Sequence, residues 1–407
     1  MRTWGLAALL GLFAACKPVG RAPRPGATPR ILLAGVGRRD AGAAPRALDA
    51  PPTPAAPTMY RLDRAHTGRS GWRLPRRPRV AARVATRARI SAQPVVVGDG
   101  LLVFGSHDGV LYEATRAGAV RWRLNTGDRI YTTPAVTDAG SLLLGTDADR
   151  FLKVTPRGRL ELALATEADA DTSAVVAADG TVRVAAGRTL WSLDADLTVR
   201  WRLDVGGKIF SSPALAEDGT AVFGSQDNHV YAVGPDGAVR WRFQTGDDVD
   251  ASPMLDAAGN VYAGSDDGSV YSLTPAGAER WRRPMGGFVR AAPALGLDGT
   301  VIVATYGPRA RLAALDREGG RELWSYAVPG PPTREYGIAS APLVDADGRV
   351  AFGSPDDAVH FVDRDGSHPL RFPMPADVDS APVLIDDRVM AVGCDDGNLY
   401  VIADAAH

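Results

Sequence analysis

Short apolar runs recur along this chain, each bounded by a polar turn, and no stretch keeps the 3.6-residue spacing of an amphipathic helix. Within residues 211–249 the runs are Pro213-Ala214-Leu215, Ala221-Val222-Phe223, Val230-Tyr231-Ala232-Val233 and Val239-Arg240-Trp241-Arg242-Phe243. Asp218-Gly219 and Asp236-Gly237 separate two of the junctions. Asp-Gly between such runs signals a hairpin, because the turn needs positive φ and glycine adopts it without strain. The pattern predicts four short antiparallel strands.

The same unit is written eight times. Its anchor proline recurs as Pro94, Pro134, Pro213, Pro253, Pro293, Pro342 and Pro382, with Ala174 standing for the missing one, at intervals of 40, 40, 39, 40, 40, 49 and 40 residues. Eleven residues after the anchor comes a small residue: Gly105, Gly145, Gly224, Gly264, Ala304, Gly353 and Gly393. Trp122, Trp241 and Trp281 follow their prolines by 28, and Trp201 and Trp324 hold the same place in irregular copies. A unit this short cannot bury its own apolar face, so it must stack on copies of itself. The expected fold is all-β: an eight-bladed β-propeller of four-stranded antiparallel blades. Seven blades would follow only if the degenerate third copy, residues 172–207, formed none. Packing between blades accounts for the tryptophans, and packing within the inner strands for Ser211, Ser212 and Ser252.

The eighth copy reaches His407 before its tryptophan position and so lacks a fourth strand. Counting back from Pro94 lands on Ala82, within Val80-Ala81-Ala82-Arg83-Val84. This segment is expected to complete the last blade and close the ring, leaving no long open edge.

The phrases GSHDGVLYEA, GSQDNHVYAV, GSDDGSVYSL and GCDDGNLYVI resemble the quinoprotein-type (PQQ-like) propeller repeat, and MYRLDRAHTGRSG (Met59 to Gly71) is similar to the lead-in that often precedes it. The resemblance covers Met59 onward and implies the fold. The superfamily holds dehydrogenases, assembly scaffolds and binding proteins, so function is left open.

Residues 1–15, with Arg2 before an apolar Gly5–Phe13 and then Phe13-Ala14-Ala15-Cys16, look like a lipoprotein signal in which Cys16 is lipidated. By resemblance, Lys17 after that cysteine favours the outer membrane and a periplasmic location. Residues 16–57, rich in Pro, Ala, Gly and Arg, are expected to be a tether, 58–90 the lead-in and closing strand, and 91–407 the propeller. Residues 17–90 hold 17 basic and 3 acidic side chains, net +14, whereas residues 91–407 hold 28 and 44, net −16. A basic leash on an acidic ring suits an anionic envelope surface, and equally suits arginine serving as the solubilising residue of an Ala/Arg/Pro-rich composition. An exported, acidic domain argues against nucleic acid. Cys394, the other cysteine, has no partner for an internal disulfide and reads as a buried small residue.

No catalytic constellation appears. Quinoprotein dehydrogenases of the resembled superfamily carry a vicinal Cys-Cys pair and a Ca²⁺ site; this chain has no Cys-Cys pair and no Cys-x-x-Cys-His haem site. His107, His229 and His360 read as solvated residues near second turns, and none of the six histidines forms a zinc pair. Asp266-Asp267 and Asp395-Asp396 read as turn residues, since no Asp-x-Asp-x-Asp-Gly loop is present. The expectation is therefore no metal and no cofactor, with PQQ as the disfavoured exception.

Departures from the repeat point to function. The sixth copy is nine residues too long, with insertions placed at Tyr306–Arg311 and within Val328–Tyr336. Both lie on turns of one propeller face, so Tyr306, Arg309, Arg311, Arg334, Glu335 and Tyr336 are candidate partner-binding residues. The position three before each anchor should look into the funnel on that face: Ser91, Tyr131, Asp171, Phe210, Asp250, Arg290, Ala339 and Asp379. The expected function is that of a lipid-anchored, monomeric, non-catalytic scaffold recognising an envelope protein or peptide, similar in layout to the assembly scaffold lipoproteins of the outer membrane. The alternative is a PQQ-dependent oxidoreductase, or a degenerate relative, with a ligand in the funnel.

Overall fold

Eight four-stranded antiparallel sheets form the ring of the computed structural model, which describes residues 31–33 and 58–405 apart from 308–309 and 331–335. The signal segment, Cys16 and most of the tether lie outside the described residues. Blades 1 to 7 follow the repeat in order, from Val95–Asn125 to Leu343–Pro373. The degenerate third copy folds as a full blade, Val175–Asp204, so the count is eight.

The last blade is completed by a strand from before the first blade. Pro78–Ala85 pairs antiparallel with Asn398–Asp404, in the register Arg83↔Tyr400 and Val84↔Leu399, with a bulge between Val80 and Ala82. Asp404 Oδ1 accepts from the Arg77 amide at 2.6 Å and fastens the end of this pair.

Blades are stapled by the tryptophans. Trp122, Trp201, Trp241, Trp281 and Trp324 each lie against a glycine in the last turn of the next blade: Gly158, Gly237, Gly277, Gly320 and Gly366. These glycines have φ between +68° and +85°, and a β-carbon there would come within 2.3–3.0 Å of the indole. For Trp201, Trp241, Trp281 and Trp324 the same turn accepts the indole N–H, as from Trp281 to the Arg317 carbonyl at 2.8 Å. Glycine is thus required twice at one position, for the turn and for the ring. Where Leu162 replaces the tryptophan in blade 2, Leu197 replaces the glycine in blade 3. The second small residue of the repeat has its own reason. A β-carbon on Gly224 or Gly264 would lie 2.3–2.4 Å from Val249 or Val289, which lead into the following blade.

The lead-in is a plug. Its carbonyls accept from the innermost strands in turn, Thr58 from Val136, Arg64 from Leu215, Ala65 from Leu255, Thr67 from Leu295 and Gly68 from Val344, and Arg73 accepts from Arg388 in the first turn of the last blade, at 2.7–2.9 Å. Arg64 Nε also donates to Val176 O, and the Arg61 amide to Gln93 Oε1. One segment therefore touches all eight blades. Asp63 accepts from the Thr67 amide and hydroxyl, folding the motif on itself. The buried Arg61 guanidinium stacks where a β-carbon on Gly68 would be, and donates to Pro293 O at 3.1 Å. His66, also buried, reaches Pro253 O at 3.2 Å, and burial lowers its pKa to about 3.

Candidate functional site

In blades 2 to 7 the plug contacts sit two residues after the anchor, toward the first turn of the blade. The funnel positions sit three before it, at the opposite end of the same strands, so that end is the open mouth. There Asp171, Asp250, Arg290 and Asp379 are half-buried and Phe210 is exposed, between fully buried neighbours such as Ala170 and Thr172. That alternation is expected of strands lining a channel.

A second ring, thirteen residues after each anchor, was missed by the sequence reading although it shares the repeat period. It comprises His107, Asp147, Gly187, Gln226, Asp266, Tyr306, Pro355 and Asp395. Four of its side chains, those of His107, Asp147, Gln226 and Asp266, reach the funnel residue of the next blade. The His107 and Tyr131 rings are 4.2 Å apart, Gln226 Nε2 donates to Asp250 at 3.2 Å, and Arg290 binds Asp266 through two nitrogens at 2.5–3.1 Å. Ser91 Oγ lies 2.7 Å from His107 Nε2, and Arg89 bridges to Asp395 at 3.5 Å. Gly187 contributes no side chain, and beside it lies a cavity of about 150 Å³ lined by Asp169, Asp171, Lys208 and Phe210.

The mouth is strongly acidic. Burial raises the carboxyls of Asp147 and Asp377 to about 7, with neighbouring carboxylates adding to it. Burial likewise lifts Asp250 and Asp395 to about 6, and raises Asp171 and Asp379. Asp147 and Asp171 each keep a buried Oδ1 with no hydrogen-bond partner. A proton held between the two carboxyls would satisfy both. Folding thus holds a proton that the unfolded chain releases near pH 4, so this pair favours the fold most at low pH and progressively less as pH rises to about 7. Asp147→Asn should remove that loss. Thermal melts should show the variant gaining on the parent as pH rises from 4 to 8, by on the order of 1–2 kcal/mol after allowing for solvent screening.

The two insertions of blade 6 do meet. Tyr306 bridges to both Phe288 and Gly337, and the Gly307 amide donates to Tyr336 O at 2.8 Å. Tyr306 also reaches the funnel: the Arg290 guanidinium lies 5.3 Å from its ring and 4.8 Å from that of Phe288. The insertion and the funnel, inferred separately, form one continuous surface. Tyr336 donates to Pro329 O at 2.6 Å. Arg311 instead begins a strand, where it binds Glu322 at 2.8 Å and Met285 O at 3.2 Å. Arg309, Arg334 and Glu335 lie outside the described residues.

Other sequence readings resolve as follows. His360 is not a solvated turn residue: it is fully buried, stacked on Phe352 and bonded to Asp356 at 2.9 Å and to the Tyr326 hydroxyl at 3.0 Å. Asp108, Asp227, Asp267 and Asp396 accept tyrosine hydroxyls at 2.5–2.6 Å from the following strand. Ser212 and Ser252 accept amides of the neighbouring blade at 2.9 Å. Cys394 is buried, and burial pushes its thiol up to about 12. Among the described residues no three His, Cys, Asp or Glu side chains converge as a metal set.

Among curated proteins none matches the chain in sequence. Solved structures share its fold at low identity. BamB from Moraxella catarrhalis has a TM-score of 0.67 at 17% identity, over 80% of this chain and 99% of that one. The quinohemoprotein alcohol dehydrogenase of Comamonas testosteroni has 0.70 at 15%, over 86% and 80%. A europium-containing methanol dehydrogenase has 0.72 at 13%, over 86% and 98%. Such likeness carries fold alone, and does so for the assembly factor and the dehydrogenases equally. The sequence adds one distinction: the chain is an eight-bladed β-propeller, and its residues 226–406 match the family model of the outer membrane protein assembly factor BamB.

Proposed function

We propose that the protein is a non-catalytic binding module of the bacterial envelope, anchored through Cys16 to the outer membrane on its periplasmic side. It recognises a protein or peptide partner at the open mouth and the blade-6 loops. The observation that carries this reading is the merger of insertion and funnel: Phe288, Arg290 and Tyr306 stack at the rim beside Asp250 and Asp266. Half-buried arginine between aromatic rings is the side-chain chemistry on which protein interfaces concentrate their energy. The family-model match supports an assembly-type role.

The residues of the mouth do not suit a quinone cofactor. PQQ carries three carboxylates, and this mouth presents buried carboxyls that resist charging, while Arg290 is already committed to Asp266 and Arg89 to Asp395. Bringing a polyanion into this poorly hydrated site costs desolvation that neutral carboxyls and already paired arginines do not offset.

Two experiments test the reading. Affinity purification from solubilised envelopes should recover a partner, and recovery should fall about tenfold or more with Arg290→Ala plus Tyr306→Ala, equivalent to at least ~1.4 kcal/mol. Replacing Arg334, Glu335 and Tyr336 together should also weaken it, whereas Arg242→Ala on an outer strand should not. Stoichiometric PQQ uptake in the presence of Ca²⁺ with dye-linked alcohol oxidation would overturn the proposal.

A further inference from the structure

Outer strands of propeller blades leave an unpaired edge, which invites strand addition unless charges guard it. In blades 1, 3, 4 and 5 an arginine stands on each side of the tryptophan: Arg121 and Arg123, Arg200 and Arg202, Arg240 and Arg242, Arg280 and Arg282. Blade 6 lacks both. Its outer strand, Glu322–Ala327, has Leu323 and Ser325 in those places, and Trp324, Ser325 and Tyr326 are buried. This edge is covered. Ile31–Leu33 adds to it as a fifth antiparallel strand, in the register Ile31↔Tyr326, Leu32↔Ser325 and Leu33↔Trp324.

The sequence singles out the same segment independently. Ile31-Leu32-Leu33 is the only run of two or more Val, Leu, Ile or aromatic residues between residues 17 and 58, in a stretch otherwise rich in Pro, Ala, Gly and Arg. We propose that the outer edge of blade 6 is a strand-acceptor site whose occupant is the chain's own Ile31–Leu33. Blade 2 is the internal comparison. Its outer strand, Leu160–Ala165, also lacks both arginines and exposes Leu160 and Leu162, yet no described strand pairs with it.

Three backbone pairs are too few to hold a free peptide, but 24 residues join Leu33 to Thr58. A linker of that length gives an effective concentration approaching mM, so docking within one chain outcompetes docking between chains at micromolar protein. The consequence rests on the tether reading of residues 16–57. Docking leaves about 15 residues rather than about 42 between Cys16 and the ring, which shortens a flexible tether's root-mean-square reach from about 35 Å to about 20 Å. The anchor then holds the propeller by its blade-6 side.

Cross-strand cysteines test the site in the full chain carrying Cys16→Ser. Leu32→Cys with Ser325→Cys should form a disulfide within one chain under mild oxidation, and Leu32→Cys with Ala163→Cys on the blade-2 edge should not. Equal linkage to both edges, linkage only between chains, or no linkage overturns the proposal. Amide exchange gives a second measurement without cysteines. Replacing Ile31, Leu32 and Leu33 with Gly, Ser and Gly should speed exchange in Glu322–Ala327 at least tenfold while leaving Val239–Gln244 unchanged. Unchanged exchange in blade 6 overturns it as well. Neither readout involves the mouth, so failure here leaves the partner-binding reading standing, and the converse holds.

Discussion

Val84→Asp should destabilise the folded ring by about 3–5 kcal/mol, seen as a large drop in the urea midpoint, while Val80→Asp on the same strand should stay within about 0.5 kcal/mol. The contrast follows from position. Val84 is 2% exposed and packs among Ile90, Val96, Tyr112, Leu399 and Val401, whereas Val80 is 44% exposed. A carboxylate at position 84 would be buried without a partner in the seam where the two ends of the chain meet. Because this strand is the last element to complete a blade, its loss also leaves Asn398–Asp404 as an open edge. If both variants lose equal stability, the closure described above is wrong.

Trp281→Ala should cost a comparable amount, about 3–5 kcal/mol, because it removes the ring that joins blades 5 and 6. Trp281 is 7% exposed and sits in a cluster with Met254, Tyr262, Leu295 and Val303. Trp281→Phe should cost only about 1 kcal/mol, beyond the smaller ring, for the lost bond to Arg317 O. Gly320→Val attacks the contact from the other side. Its side chain would start 2.6 Å from the indole at φ +68°, so chemical-denaturation midpoints should fall with it as they do with Trp281→Ala. Combining Gly320→Val with Trp281→Ala should cost less than the sum of the two, since the clash disappears with the ring. Full additivity would deny the staple.

The staple also shows how far one sequence can be read. Its tryptophans and its turn glycines were each visible by period, and their paired loss at Leu162 and Leu197 was visible too. That the ring of one blade rests on the glycine of the next was not, because the two are 36–42 residues apart and no local pattern links them. His360 failed for a similar reason. It stands on a strand whose neighbours supply Asp356, Tyr326 and Phe352, which convert a polar residue into a satisfied core residue.

At the candidate site, the funnel positions follow from offset alone, since residues three before a periodic anchor recur at one level of every blade. The second ring had the same period but stayed hidden behind its variable chemistry, from His107 through Gly187 to Asp395. Only side-chain contacts revealed that His107, Asp147, Gln226 and Asp266 meet the next blade's funnel residue, and that Tyr306 brings the blade-6 insertion to Arg290 of its own blade.

By itself, then, the sequence determined the quantities that periodicity controls: the all-β class, eight blades, and the strand that closes the ring. These follow from local turn chemistry and from the inability of a forty-residue unit to bury its own face. Tertiary structure decided what depends on groups distant in the chain and close in space. It turned Thr58–Arg73 into a plug bonded to every blade, which leaves one mouth open, and it set carboxyls beside one another so that burial, not composition, governs their charge. Hydrogen bonds and desolvation act over a few ångströms, and the fold alone sets those distances.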